Sequence, residues 1–93
     1  MIQSFACAET EGIFRGAVST KFPIQIQKVA RRKLRMIDGA ESLNDLRSPP
    51  GNRLEKLDKD RVGQHSIRIN DQFRICFIFT GSDAIGVEIV DYH

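Results

Sequence analysis

From position 64 onward, polar and apolar residues alternate in three short runs, Gln64 to Ile69, Phe73 to Phe79 and Ile85 to Val90, separated by Asn70-Asp71-Gln72 and Gly81-Ser82-Asp83. Alternation of period two between turn-forming residues predicts a three-stranded antiparallel meander. Upstream the period changes. Ile26, Val29, Ala30, Leu34, Met36 and Ile37 fall on one stripe at helical spacing, which predicts a helix beginning at Pro23, a residue suited to a first helical turn, and ending at Gly39. Lys33 projects into that stripe and would have to snorkel out along its stem. Ile2 to Cys7 reads as a first strand, Thr10 to Ala17 as a short helical stretch, and Glu41 to Leu46 as a second short amphipathic piece. The last stops at Ser48-Pro-Pro-Gly-Asn52, where two prolines and a glycine argue against regular structure, and Arg53 to Gly63 reads as a loop or a turn of helix.

The register of the meander follows from which residues must share a face. With Asn70-Asp71-Gln72 as a three-residue loop, Ile69 opposes Phe73, Ile67 opposes Ile75 and His65 opposes Phe77, so one face is apolar. The same register sets Arg68 directly across from Arg74 on the other face. Like charges side by side are destabilising, so the pair calls for an anion bound between or near them or for nearby acids, such as Glu88 on the neighbouring strand. Continued through the last strand, the alternation puts Tyr92 on the arginine face and Asp91 and His93 on the other. Phe73, Ile75, Phe77 and Phe79 then form a core face, with Phe5 and Phe14 most simply core as well, and His65 reads as a partly buried, hydrogen-bonded structural histidine.

Ninety-three residues predict one domain, 1–93, with a single modest core. The 41% hydrophobic and 28% charged content is ordinary for a soluble globular protein. Cys7 and Cys76 lie far apart and belong to no metal-ligand spacing, which predicts reduced, buried thiols in a cytoplasm. The N-terminal residues lack the features of a signal peptide, and no apolar run approaches a membrane span. Net charge is only +2, but Lys28, Arg31, Arg32, Lys33 and Arg35 form a run without an acid. Lys28, Arg31, Arg32 and Arg35 share the helix face opposite the apolar stripe. Arg53, Lys56, Lys59 and Arg61 form a second cluster, interleaved with Glu55, Asp58 and Asp60. Such faces are either solvated surface or contacts for nucleic-acid phosphates.

The candidate chemistry sits at the end of the last strand. Asp91-Tyr92-His93 follows the run Ile85 to Val90, and Arg74 interrupts the apolar segment Phe73 to Phe79. An arginine near a carboxylate, a phenol and an imidazole is a suitable set for work on a phosphodiester; a merely polar chain end is the plain alternative.

Taken together, Arg53-Leu-Glu-Lys-Leu57, the strand Gly63-Gln-His-Ser-Ile-Arg-Ile-Asn70, Phe73-Arg-Ile-Cys-Phe77 and the terminal Val87-Glu-Ile-Val-Asp-Tyr-His93 resemble the HigB toxins, including the GraT branch, of the RelE/ParE superfamily. The resemblance covers essentially the whole chain. It implies an α+β, RelE/ParE-like fold in which N-terminal helices pack on a small antiparallel β-sheet. It also implies the toxin of a type II toxin–antitoxin pair, a ribosome-dependent endoribonuclease that cuts messenger RNA in the ribosomal A site and is restrained by a HigA-type helix-turn-helix antitoxin. DNA would be met only through the antitoxin complex. Carried over by position, the family's strand arginine matches Arg74 and its C-terminal acid, phenol and imidazole match Asp91, Tyr92 and His93. Where some relatives have a histidine and a lysine ahead of the meander, this chain has Glu55 and Asp58, so the bases available in that loop are carboxylates.

The chemistry implied by the resemblance requires neither metal nor cofactor, because RNA carries its own nucleophile in the 2′-hydroxyl. Cleavage needs a proton acceptor, a cation for the phosphorane and an acid for the departing 5′-oxygen. Arg74 is expected to hold the phosphate, Asp91 and His93 to share proton transfer or orientation, and Tyr92 to stack on a base or fix the 2′-hydroxyl. Lys28, Arg31, Arg32, Arg35, Arg53, Lys56, Lys59, Arg61 and Arg68 would meet RNA phosphates. Two other functions stay open: a ParE-like toxin acting on DNA gyrase, and a degenerate toxin that only binds antitoxin or ribosome.

Overall fold

An amphipathic helix and a sheet with one apolar face can each bury that side only against the other, and this chain does so with two helices on one face of an antiparallel sheet. The computed structural model describes residues 1–92. Helix α1 spans Ala8–Phe14 and α2 spans Ile24–Gly39. Strands β1 (Glu55–Lys56), β2 (His65–Arg68), β3 (Phe73–Thr80) and β4 (Asp83–Asp91) pair antiparallel in chain order. Ile13, Leu34, Ile37, Ile67, Ile75, Phe77 and Val87 are fully buried between the layers. Each such side chain contributes about 1.5–3 kcal/mol relative to exposure, so the stripe of α2 fixes which way the helix faces.

The meander has the expected register: His65 pairs with Phe77, Ile67 with Ile75 and Arg68 with Arg74. The Ile69 amide donates to Phe73 O at 2.9 Å, and Asn70 Oδ1 closes the loop by accepting from the amides of Gln72 and Phe73. At the other hairpin the turn is shorter than expected. Thr80 pairs with Asp83, leaving Gly81 and Ser82 as a two-residue turn with Gly81 at φ +63°.

A β-bulge decides what β4 presents. The β3–β4 register shifts by one residue between Cys76 and Ile78, where Gly86 adopts φ +63°. Ala84 faces the core before the bulge, Val87 and Ile89 after it. Glu88 and Val90 consequently lie opposite Cys76 and Arg74 on the outer face.

Several expectations are corrected. Ile2 to Cys7 is not a regular strand; it runs parallel to β4 with isolated bridges at Ile2–Ala84 and Phe5–Val87. Four backbone bonds hold it, among them Gln3 N to Ala84 O (2.8 Å) and Ala6 N to Val87 O (3.0 Å). The next outward amide of β4, Ile89 N, finds the buried Thr10 hydroxyl at 3.0 Å, so α1 takes over where backbone pairing ends. Helix α1 starts and stops earlier than Thr10 to Ala17, because Gly16 at φ +98° ends it. Pro23 precedes α2 in an extended conformation. The prolines do not abolish regular structure: Pro50–Asn52 is one 3-10 turn, as is Leu43–Arg47, since proline's φ suits the start of a tight helix. Arg53 to Gly63 contains β1 and a further 3-10 turn, Lys59–Arg61.

Lys33 does not snorkel out. It is buried at 6% exposure, and its ammonium donates to Arg68 O at 2.5 Å. Burial, then the charges of Arg32, Arg68 and Arg74, hold its pKa below the usual lysine value. Gln27 is buried too, because its amide binds the loop backbone at Ser19 and Phe22. Cys76 is buried and unpaired, whereas Cys7 is only half-buried.

Candidate active site

The sheet face away from the helices carries Arg74. Nε donates to Ser66 Oγ at 2.7 Å, Nη2 donates to Arg53 O at 2.6 Å and to Ser66 O at 3.4 Å, and Glu55 Oε2 lies 3.5 Å from the same nitrogen. Its side chain is 11% exposed, so the guanidinium is set into the surface with a small opening to solvent. Each partner follows from register. Ser66 pairs with Cys76 on one side and Glu55 on the other, two rows from the Arg68–Arg74 pair and therefore on the same face. Arg53, left-handed at φ 44°, turns the chain into β1 and aims its carbonyl at Arg74.

The Tyr92 ring centroid stands 6.0 Å from the Arg74 guanidinium carbon. The end of β4 is tied down by the Tyr92 amide, which donates to Gln72 O at 2.6 Å. Asp91 pairs with Phe73 across the sheet and accepts from Gln72 Nε2 at 3.0 Å, so it does not join Arg74 on the outer face. His93 lies outside the described residues.

The neighbouring acids neutralise the arginine pair, but not through Glu88. Arg68 is bonded to Asp71, Arg74 faces Glu55, and Glu88 pairs with Arg61 at 3.3 Å. Beneath them lies Cys76, whose thiol is pushed up by burial, with Arg61 and Arg74 pulling it back and Glu88 adding to the rise. His65, on the opposite face, departs from the hydrogen-bonded reading: its buried Nδ1 has no hydrogen-bond partner among the described residues. Burial, then the charge of Lys56, lowers its pKa.

A family model of RelE-like toxins of the HigB type II toxin–antitoxin system matches residues 9–93. This chain belongs to the HigB-like toxin family. An uncharacterized protein of Haemophilus influenzae is 47% identical over 64 residues, covering 69% of this chain and 61% of that protein. Toxin HigB-1 of Vibrio cholerae is 46% identical over 55 residues, covering 59% and 58%. The match thus spans about three fifths of the length of these two relatives. Endoribonuclease HigB of Proteus vulgaris is 31% identical over the full length of both chains. The fold is shared with a chain of the YoeB-YefM complex from Staphylococcus aureus, with a TM-score of 0.58 and 20% identity, covering 100% of this chain and 95% of that one.

This HigB-like chain has two cationic surfaces. Lys28, Arg31, Arg32 and Arg35 line one shallow depression of about 330 Å3 on α2, across the helical layer from Arg74. Arg31 is partly structural there, since Nε donates to Ile13 O at 2.9 Å and Nη2 to Ala17 O at 3.3 Å, capping α1. The second cluster divides. Arg53 contributes its carbonyl to Arg74, Arg61 joins Glu88 and Gln64, and Lys56 pairs with His65 toward the other face. Ser66 and Gly86 were not expected to matter. Ser66 shares strand alternation with Arg68, and a glycine within an apolar strand is a bulge signal, so both had a trace in the sequence. No helix among the described residues is long and apolar enough to cross a membrane.

Proposed function

We propose that this HigB-like toxin is a ribosome-dependent endoribonuclease that cuts messenger RNA in the A site and so arrests translation and growth. The observation that carries the reading is Arg74: an arginine seated on Ser66 and the Arg53 carbonyl, opening beside the Tyr92 ring, is a preorganised cation of the kind a phosphorane needs. The full-length relative named Endoribonuclease HigB supports the same activity.

In this reading Arg74 holds the scissile phosphate and Tyr92 stacks on an adjoining base. Glu55, exposed on its far side and 3.5 Å from Arg74, is the carboxylate best placed to take the 2′-hydroxyl proton. His93 transfers a proton to the departing 5′-oxygen, as an imidazole is suited to do near neutral pH. Asp91, bonded to Gln72, orients the strand end instead of meeting the phosphate. The 2′-hydroxyl attacks phosphorus, the bond to the 5′-oxygen breaks, and a cyclic phosphate and a free 5′-hydroxyl result.

The α2 residues Lys28, Arg31, Arg32 and Arg35 would engage ribosomal RNA, while Arg53, Lys56, Lys59, Arg61 and Arg68 flank the message. A single domain, 1–93, would act in the cytoplasm, held by a HigA-type helix-turn-helix antitoxin through which alone it would approach DNA.

Primer-extension mapping of messenger RNA 5′ ends on purified translating ribosomes tests this. New A-site cuts with the unaltered protein, lost with Arg74→Ala and with a chain lacking His93, are expected. Growth arrest on expression without any cuts would sink the nuclease reading and direct attention to gyrase.

A further inference from the structure

Next to the arginine face lies a cleft of about 350 Å3 that shares Tyr92, Lys59 and Arg61 with the cleavage reading but whose two acids that reading leaves unused. Its lining is Asp58, Lys59, Asp60, Arg61 and Tyr92. The phenol ring of Tyr92 forms one wall, and the 3-10 turn Lys59–Arg61 forms the other. Lys59 holds a left-handed φ of 55°, so the turn is a defined shape that aims its side chains.

The polar groups of this cleft differ in what they already do. Arg61 is bonded to Gln64 and Glu88. Asp58 stands at the N-terminal cap of the turn yet makes no capping hydrogen bond. The Asp58 main-chain carbonyl accepts from Arg61 N at 3.1 Å, but neither the Asp58 nor the Asp60 carboxylate has a hydrogen bond or ion pair among the described residues. Two unpartnered acceptors therefore share a cleft with an aromatic ring that stands 6.0 Å from the Arg74 guanidinium carbon.

We infer that this cleft is a nucleobase-reading pocket, in which one base of the message stacks on Tyr92 and Asp58 and Asp60 select bases that carry an exocyclic amine. The stacking wall accepts any base, since each has a π-face. The carboxylates do not. Adenine and cytosine offer an amino N–H on the Watson–Crick edge and guanine offers two adjacent donors, all of which a carboxylate can accept. Uracil presents one N–H flanked by two carbonyl oxygens, which a carboxylate repels. Adenine, cytosine and guanine are favoured over uracil by about tenfold, the difference of one charge-assisted hydrogen bond. Lys59 is left to meet the adjoining phosphate.

The inference rests on the message lying over Arg74, and its test does not need the ribosome. The chain has one tyrosine and no tryptophan, so the ring signals of a tyrosine-labelled sample report Tyr92 alone. Purified protein is titrated by NMR with 5′-AMP, 5′-CMP, 5′-GMP and 5′-UMP, and again as Asp58→Asn with Asp60→Asn. Upfield shifts of the Tyr92 ring at about tenfold lower AMP, CMP and GMP than UMP, with the preference lost in the double variant, are expected. Equal response to all four nucleotides, or no response, would overturn the pocket. Base-selective binding by a protein that cuts nothing on ribosomes would uphold the pocket and sink the nuclease. Cutting by a protein whose Tyr92 ignores base identity would do the reverse.

Discussion

Arg74 donates from Nε to the hydroxyl of Ser66, a fully buried residue one strand away, at 2.7 Å. That bond and the one from Nη2 to Arg53 O fix two edges of the guanidinium, so its remaining surface is oriented before substrate arrives. Removing the hydroxyl strands a donor in a confined space, at about 1–3 kcal/mol. Ser66→Ala is expected to lower cleavage about tenfold or more while the protein still folds. Single-turnover cleavage on ribosomes alongside thermal unfolding separates the two effects, and an unchanged rate would mean that Ser66 does not orient Arg74.

Arg74→Lys keeps the charge and loses the fork. A single ammonium cannot satisfy Ser66 and Arg53 and still face a phosphate in the same geometry. A loss of about a hundredfold in cleavage is expected, close to that of Arg74→Ala. Activity near the unaltered level would show that the site needs only a positive point charge.

His65 makes stability depend on pH. Its folded pKa is lowered by burial and by Lys56, so between that value and about 6.5 the unfolded chain binds the proton more readily. Stability is complete above about pH 6.5 and is lost as pH falls through the folded pKa. Urea unfolding at pH 7 and pH 5 is expected to show a decline, and His65→Gln should flatten it. An equal decline in both proteins would remove His65 as the cause.

Arg31 and Arg35 share a helix face but differ in their work. Arg31 caps α1 through Ile13 O and Ala17 O, whereas Arg35 is exposed. Arg31→Ala should cost about 1 kcal/mol of stability, and Arg35→Ala within about 0.5 kcal/mol. Ribosome binding should weaken in both, with a shallower salt dependence. Unfolding curves and binding across a salt series would check this, and equal stability of the two variants would count against the capping role.

Gly86 occupies a left-handed position with open space around it, so a methyl group would meet nothing. Gly86→Ala should cost about 1 kcal/mol, from conformational strain alone. Chemical denaturation measures it; a neutral or stabilising result would mean that the bulge relaxes.

Much of this arrangement was legible in the sequence because β-alternation is strict where one face is buried. Ile67, Ile75 and Phe77 set the register, and the opposition of Arg68 to Arg74 followed without further information. The strand β1 was not legible: two residues are too few to show a period, and Glu55 and Lys56 become a strand only because β2 offers them an edge. Lys33 misled because pattern alone assigns a charge to water, whereas the Arg68 carbonyl lay within reach inside. The association of Glu55, Ser66 and Arg53 with Arg74 depends on a left-handed residue at 53 and a two-residue pairing, neither of which leaves a local signature.

The bulge at Gly86 also bears on how such a chain can vary by descent. Losing one residue from an exposed stretch is ordinarily among the mildest of inherited changes. Within a regular paired strand it is severe, because every later side chain turns to the other face. Between the Gly81 turn and Val87 it would be absorbed, because the surplus residue of the bulge could be given up and Val87 would then stand opposite Phe77 in unbroken alternation. Ile89 would stay inward, Glu88 outward and Tyr92 beside Arg74. Beyond Val87 there is no such slack, so lineages can lose a residue ahead of Val87 far more freely than behind it.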